Sequence, residues 1–214
     1  MREVVVSSKA TDRSLIKAGV FMQVQKDYIR TGILESALEE FSAKGFRNAT
    51  MSSIADSCNI SKSNLYRYFS SKEDICHEIL AKPSWEIKNA LKILTGTELL
   101  MFSNDEIAQH MTEALFPVML KYRKEMMIII SSDAPEEGVA LKQMVEKELM
   151  KNFMAFDPQR TPEGFAASLV KMLMAGIENI LVNYISEENM KEQLNSLLRY
   201  HLRGVLAFSM LRKE

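Results

Sequence analysis

The sequence predicts an all-α protein. Apolar residues recur at helical spacing from Lys26 onward, and no segment beyond Gly96 shows the alternation of apolar and polar residues that is typical of a strand. Helix-start signals recur as well, because Ser103 is followed three residues later by Glu106, and Thr161-Pro162-Glu163 places a cap before a proline. These patterns favour helices as the building elements of the chain.

The composition is that of an ordinary globular protein. The chain has 214 residues, of which 47% are hydrophobic and 26% charged, and its net charge is −1. This balance excludes a protein that binds nucleic acid by overall charge alone, so any affinity for DNA must come from a local basic surface. The two cysteines, Cys58 and Cys76, are too few for a disulfide framework and lack metal-ligand spacing, so we expect small reduced core residues and no metal.

The sequence also predicts a cytoplasmic protein. No apolar run approaches the roughly 20 residues of a membrane span, and the N-terminal segment has no signal-peptide pattern. Residues 1–25 lack a clear amphipathic period and carry an excess of two positive charges. They are interpreted first as a disordered extension, or as the product of an upstream start codon with Met22 as the true start. The alternative is a basic arm that follows DNA.

Helical spacing begins at Lys26 and is expected to end at Gly45, a typical C-cap residue. Residues 50–72 then predict two very short helices joined by a tight turn. Asn59 falls where the turn requires a left-handed residue, and Ser61 can cap the second helix. Between positions 57 and 72 there are three basic residues and no acidic one, which suits a helix that lies against a polyanion.

This segment carries a long, ordered motif. Its parts are Ile54-Ala55, Asn59-Ile60-Ser61-Lys62, Leu65-Tyr66-Arg67-Tyr68-Phe69 and Ser71-Lys72-Glu73, with Ile33, Ala37, Phe41, Gly45, Phe46 and Thr50 upstream. The motif resembles the DNA-binding signature of TetR-family transcriptional repressors over roughly residues 27–80. Asn59 departs from it, because the family usually has glycine there, and asparagine tolerates the same backbone conformation.

The resemblance implies a fold in two parts. An N-terminal three-helix helix-turn-helix domain is expected over residues 26–72, followed by a connecting helix over 73–95. A C-terminal helical bundle over 96–214 is expected to bind an effector and to dimerise. The resemblance implies neither a cofactor nor a catalytic residue.

The same resemblance implies which side chains meet DNA. The major groove is assigned Lys62, Ser63, Asn64 and Arg67, and the sugar-phosphate backbone Thr50, Ser52, Ser61, Tyr66, Tyr68 and Lys72, with Arg47 as a weaker candidate. The division follows from chemistry, since arginine and lysine bond guanine edges, asparagine pairs with adenine, and hydroxyls suit phosphate oxygens. The alternative for both tyrosines is packing against neighbouring helices.

The last two helices are expected to form a dimer. In TetR-family proteins they pair in a four-helix bundle, and the apolar arc of the final helix covers more than one stripe. The expected interface residues are Leu169, Leu173, Ile177, Leu197, His201, Val205 and Phe208. The alternative is a central helix inside a monomer. A two-fold dimer reads two half-sites of a palindromic operator, which a single short recognition helix does not.

Most of the 15 methionines follow Gly96, and their flexible side chains suit an irregular apolar cavity. The hypothesis is a pocket for a small hydrophobic effector, lined by Met101, Met119, Met126, Met150 and Met174, with His110 and Tyr122 as polar groups. The alternative is methionine as core filling.

The preferred function is therefore a transcriptional repressor released from its operator by a small molecule. The alternative is an activator or architectural DNA-binding protein without an effector. An enzyme is not favoured, because the sequence has no glycine-rich phosphate loop, no nucleophile elbow and no cysteine–histidine cluster.

Overall fold

The computed structural model describes the backbone of residues 7–94, 103–156 and 163–211, and the side chains of residues 22–92, 103–154 and 163–204. Within these ranges the chain forms helices and no strand, which confirms the all-α prediction. The helices are α1 (Ser7–Lys44), α2 (Met51–Ser57), α3 (Lys62–Leu65), α4 (Lys72–Leu94), α5 (Asn104–Lys121), α6 (Arg123–Ile130), α7 (Glu136–Phe156), α8 (Glu163–Val182) and α9 (Glu187–Leu211).

Helix α1 is much longer than the sequence pattern predicts. It begins at Ser7, so the expectation of a disordered extension is wrong for residues 7–25, while residues 1–6 lie outside the described part. The described side chains from Met22 to Tyr28 are exposed, and a helix that buries no face needs no apolar period. The helix ends at Lys44, and Gly45 follows it with φ of +81°, which confirms the predicted C-cap.

The first core joins the N-terminal helices to α6 and α7. Phe41, Ile54 and Leu65 are buried together, and Ile128 and Ile129 of α6 belong to the same cluster. The apolar core of the N-terminal helices is therefore continuous with α6 and α7, which extend it. The predicted division at residues 72 and 95 stays a prediction, although α4 occupies the place of the expected connecting helix.

Three local features go beyond what the helix pattern shows. A proline inside a helix usually kinks or interrupts it, yet α4 continues past buried Pro83. The segment from Ser103 to Ile130 forms two helices, because the backbone turns at Tyr122 with φ of −113° and ψ of 30°. Ser71 caps α4 by accepting a hydrogen bond from Asp74 N–H at 3.1 Å. Tertiary packing sets these boundaries in ways that local pattern does not show.

A second core lies among α4, α5, α7, α8 and α9. Leu173 and Leu181 of α8 and Leu194 and Leu198 of α9 are buried in it. Helix α8 is long and apolar enough to cross a membrane by length and composition, with a mean hydropathy of 1.6, so the expectation that no run approaches this length is wrong. Leu173 and Leu181 nevertheless pack inside the protein.

Candidate nucleic-acid interface and internal cavity

The start of α2 is fixed by a reciprocal cap. The Thr50 hydroxyl accepts a hydrogen bond from Ser53 N–H at 3.1 Å, and the Ser53 hydroxyl accepts one from Thr50 N–H at 3.1 Å. Thr50 and Ser52 are both exposed. The first turn of α2 therefore presents hydroxyls and helix N–H groups to solvent, an arrangement that suits a phosphate.

The turn between α2 and α3 has the predicted chemistry. Asn59 adopts a φ of 55°, which confirms the left-handed position. The Ser61 hydroxyl accepts a hydrogen bond from Asn64 N–H at 3.2 Å, which confirms the predicted cap of α3. Buried Leu65 and Phe69 then anchor the segment in the first core, so the opposite face of α3 is turned outward.

The outward face of α3 carries most of the residues expected to meet DNA. Lys62, Ser63 and Arg67 are exposed, and Asn64 is half-buried. Tyr66 is 49% exposed, which favours an outward contact over the alternative of core packing. Tyr68 is half-buried and packs against the first core, so for this tyrosine both interpretations remain.

Lys72 differs from the phosphate contact that the sequence suggests. Its ammonium donates hydrogen bonds to the carbonyl oxygens of Phe46 at 2.7 Å, Arg47 at 3.1 Å and Ala49 at 3.0 Å. It also lies 4.6 Å from the centroid of the Phe46 ring. An ammonium has three donors, and all three are used within the chain. Lys72 therefore fixes the loop between α1 and α2, and its three donors are already used when a phosphate approaches.

Helix α1 adds two residues that the sequence reasoning missed. Gln23 and Lys26 line one polar groove with Arg67 and Tyr68, next to α3, and the acidic Asp27 lines it too. Gln23 and Lys26 both precede the motif, which begins at about residue 27, so the motif does not point to them. Arg30 lines the same groove, but its guanidinium already pairs with Glu78 and lies 4.4 Å from the centroid of the Phe69 ring. Among these residues Lys26 and Arg67 offer the positive charge for a phosphate.

A residue that is distant in the sequence also contacts the loop between α1 and α2. Asp133, in the loop between α6 and α7, accepts a hydrogen bond from Arg47 N–H at 3.0 Å through Oδ2. The Ser131 hydroxyl donates to its other oxygen at 2.8 Å. The bond from Arg47, and then that from Ser131, hold the pKa of the Asp133 carboxyl below its usual range. No local sequence pattern points to this pair, because 86 residues separate its members.

An internal cavity of about 100 Å³ lies among α4 to α8, and Leu198 of α9 reaches it. Its lining contains Met111, Met119, Met126 and Met174, together with leucine, isoleucine and valine side chains. Three of the predicted effector residues, Met119, Met126 and Met174, thus line the same cavity, from three different helices.

The other predicted effector residues lie elsewhere. His110 is exposed and Met150 packs beside the cavity in the second core without lining it. The hydroxyl of Tyr122 points away to Glu86 on α4, at 2.6 Å. Met101 lies outside the described residues. The expected polar groups are therefore not in the cavity, because the helix break at Tyr122 turns that side chain toward α4.

Two of the predicted dimer residues face inward. Leu173 and His201 are buried within the protomer, so neither faces a partner. Ile177 is half-buried and lines the cavity, and Leu169 and Leu197 are half-buried as well. The side chains of Val205 and Phe208 lie outside the described residues. In the described part of α9, the arc that includes His201 packs on its own protomer.

Known proteins resemble this chain in both sequence and fold. The sequence profile of the bacterial regulatory proteins of the TetR family matches residues 33–79. The negative transcriptional regulator IcaR of the biofilm operon icaADBC from Staphylococcus aureus is 30% identical over 141 residues, which cover 62% of this chain and 74% of that protein. The chain belongs to the TetR family. It is therefore a DNA-binding transcription regulator.

A second regulator shares part of the sequence, and solved structures of TetR-family regulators share the fold. The transcriptional regulator UidR of Escherichia coli is 44% identical over 59 residues, or 28% of this chain and 30% of that protein. A TetR-family regulator from Bordetella parapertussis has the same fold, with a TM-score of 0.62 at 18% identity over 79% of this chain and 93% of that one. The regulator PfmR from Thermus thermophilus gives a TM-score of 0.59 at 20% identity, over 80% and 94%.

Proposed function

We propose that the protein is a repressor that binds a palindromic operator as a homodimer and leaves it when a small apolar molecule enters the cavity. The DNA surface is formed by the exposed start of α2 and the outward face of α3. Their hydroxyls, amides and positive charges match the phosphate and base edges of a major groove. Repression is supported by the likeness to IcaR, which is by name a negative regulator. DNA in a bacterial cell lies in the cytoplasm, so we place the protein there.

One observation carries the link between effector and DNA. Ile129 of α6 lines the cavity and also belongs to the core that holds α1, α2 and α3. Met126 and Ile130, on the same helix, line the cavity too. A molecule that displaces α6 therefore pushes on side chains that the DNA-binding unit needs for its own packing. Such a ligand shifts the protein toward a state in which two recognition helices no longer match two half-sites.

The chemistry of the cavity defines the class of effector. Its described lining is apolar apart from Lys142, a half-buried residue of α7. An apolar cavity of this kind takes up uncharged hydrocarbon ligands such as benzene, as an engineered cavity of about 150 Å³ does. Flexible methionines let the walls move apart for a somewhat larger molecule. The effector is therefore an uncharged, mainly hydrocarbon compound.

The dimer surface is the exposed side of α8 and α9. Met172, Gly176 and Asn179 recur along one face of α8. Ser196 and exposed Tyr200 lie along the matching face of α9. A groove lined by Gly176, Asn179 and Ser196 runs between the two helices. A palindromic operator requires two copies of α3 that are related by a two-fold axis, and an isologous pairing of this face supplies such an axis.

The test combines DNA release with a cavity-filling variant. An operator duplex is first selected from a random pool by the wild-type protein, and benzene, toluene and short alkanes are then tested for release in a mobility-shift assay. Ala90 is buried on α4 and lines the cavity, so Ala90→Leu fills much of the space. Ala140, exposed on α7, gives the matched control Ala140→Leu.

We expect ligand to release the wild type and Ala140→Leu, but not Ala90→Leu, which should still bind the operator. Saturating benzene should also raise the melting temperature of the wild type more than that of Ala90→Leu. The alternative of an activator or architectural protein without effector predicts a different result. In that case no ligand releases the wild type, and Ala90→Leu differs from it only in stability.

A further inference from the structure

We propose that Asp133 is a positioning residue for DNA binding, because it holds the loop that sets the first turn of α2. Asp133 belongs to the loop between α6 and α7, whereas the predicted DNA contacts all come from α2, α3 and the residues beside them. The inference rests on the proposed DNA surface at Thr50. It does not depend on an effector, because the contact exists in the chain as described.

The carboxylate meets the loop at two points. Its Oδ2 accepts the hydrogen bond from Arg47 N–H at 3.0 Å. A Cβ placed on Gly45 would lie only 2.5 Å from the same oxygen, so the backbone at Gly45 passes against the carboxylate. The Ser131 hydroxyl shares its single proton between Oδ1 at 2.8 Å and the carbonyl oxygen of Ile128 at 3.0 Å. The carboxylate is thereby oriented from its own side before it meets Arg47.

Lys72 holds the same loop from the other side. Asp133 takes one of the loop's N–H groups, while Lys72 takes the carbonyls of Phe46, Arg47 and Ala49. The loop has few bonds of its own, such as that from Ala49 N–H to the Gly45 carbonyl at 3.3 Å. The Asp133 carboxylate and the Lys72 ammonium therefore supply the backbone hydrogen bonds that regular secondary structure supplies elsewhere in the chain. Thr50 follows directly, and its position is set by the loop that they fix.

The negative charge of Asp133 allows its positioning role to be distinguished from a direct electrostatic effect on DNA. A carboxylate beside a DNA-facing loop repels phosphate, so its charge taken alone weakens binding. A carboxylate that orients the loop strengthens binding. Removing Asp133 therefore changes affinity in opposite directions under the two interpretations, and neutralising it without losing its hydrogen bonds separates them.

The experiment measures operator affinity by fluorescence anisotropy at two salt concentrations, with the full-length protein and a duplex selected from a random pool. Asp133→Ala removes the hydrogen bond to Arg47. Asp133→Asn keeps an oxygen for Arg47 and an amide that can bond Ser131. Asp56, an exposed acid on α2 with no bond to this loop among the described contacts, supplies the charge control Asp56→Ala.

We expect Asp133→Ala to weaken binding by about tenfold, because each of the two α2 starts in a dimer loses one phosphate contact. Asp133→Asn should stay close to the wild type, and Asp56→Ala should bind as tightly as the wild type or more tightly. If Asp133→Ala is poorly folded by thermal unfolding, Ser131→Ala provides the milder version, with an expected loss of about threefold. Unchanged or tighter binding by the folded variant overturns the proposal, and so does an equal loss in Asp133→Asn.

A double-mutant cycle shows which contact Asp133 acts through. Combined with Thr50→Ala, Asp133→Ala should cost little more than Thr50→Ala alone, because both remove the same phosphate contact. Combined with Arg67→Ala, the losses should add. Additive losses with Thr50→Ala contradict the positioning role. If Arg67→Ala itself leaves affinity unchanged, the proposed DNA surface is wrong and the role of Asp133 falls with it.

Discussion

The phenol hydroxyl of Tyr122 donates a hydrogen bond of 2.6 Å to Glu86, and this bond ties the start of α6 to the middle of α4. Lys121 donates to the same carboxylate oxygen at 2.9 Å. At its other end α6 leads to Asp133, which holds the loop between α1 and α2. The helix that forms one wall of the cavity is thus fastened at one end to α4 and at the other end to the loop before α2. In the proposed mechanism, displacement of α6 acts on the DNA surface through that loop.

Replacing Tyr122 by phenylalanine should loosen the first of these ties. The bond from Tyr122, and after it the bond from Lys121, lowers the pKa of Glu86 from its usual value of 4.5. The stabilisation is therefore present above about pH 4.5 and is lost as the pH falls through the lowered pKa. We expect Tyr122→Phe to have a lower urea midpoint than the wild type at pH 7, and a smaller difference at acidic pH.

Exposed Tyr28 supplies the control, since Tyr28→Phe removes a hydroxyl that makes no contact among those described. Its urea midpoint should match that of the wild type at both pH values. A difference between Tyr122→Phe and the wild type that does not change with pH would show that Glu86 is not the partner that matters.

Replacing Gly32, inside α1, and Gly45, just after it, by alanine should change the free energy of unfolding in opposite directions. Gly45 has φ of +81°, and a Cβ there would lie 2.5 Å from Asp133 Oδ2. We expect Gly45→Ala to lose about 1–2 kcal/mol of unfolding free energy from backbone strain alone, with a further loss from the displaced carboxylate. Gly32 lies inside α1 with nothing within 4 Å of the added Cβ, so Gly32→Ala should gain about 0.5–1 kcal/mol. Urea unfolding measures both, and equal effects at the two sites would contradict the assigned conformation of Gly45.

The features that were predictable from sequence are those set by neighbouring residues. Gly45, Asn59 and Ser61 each have a backbone role that their own side-chain chemistry determines, and all three were predicted correctly. The predicted groove-facing residues of α3 follow from the burial of Leu65 beside them. Local periodicity is sufficient for such assignments.

Other features depend on contacts between distant segments. The three donors of Lys72 and the contact between Asp133 and Arg47 join residues 23 to 86 positions apart, for which a single sequence has no pattern. Leu173 of α8 and His201 of α9 point inward because the side of each helix that carries them packs against other helices of the same protomer. Helical periodicity shows that a helix has an apolar side, but not whether that side packs within the protomer or against a partner.

Lys26 should contribute to affinity without contributing to sequence preference. It lines a groove with Arg67 beside α3 and offers an ammonium to a phosphate. We expect Lys26→Ala to weaken binding to all duplexes similarly and to lower the salt slope by about one ion per protomer. Asn64→Ala should instead relax the preference between sequences, since an asparagine pairs with an adenine edge. Binding to a selected and a scrambled duplex at two salt concentrations separates the two effects.

Lys147, exposed on α7, is the matched control for Lys26. Removing its charge changes the net charge of the protein by the same amount, but on the C-terminal unit. Its salt slope should stay that of the wild type. An equal drop in slope for Lys147→Ala would mean that net charge, rather than a contact at the groove, explains the effect of Lys26.

His201 should make the stability of the protein depend on pH just below neutrality. The ring is buried beside Phe153, with the ring centroids 5.4 Å apart, and its Nε2 has no hydrogen-bond partner. Burial lowers the pKa of His201 from its usual value of 6.5, and a hydrogen bond to the backbone of Leu169 opposes this only in part. The folded protein thus favours the neutral ring, so its stabilisation is complete above about pH 6.5 and is lost as the pH falls toward the lowered pKa. We expect the wild-type urea midpoint to fall between about pH 7.5 and pH 5.5, and to fall less in His201→Asn, whose amide can still donate to Leu169. Replacing exposed His77 by asparagine leaves the buried ring in place and should leave the wild-type fall intact. A fall of the same size in His201→Asn would show that other groups are responsible.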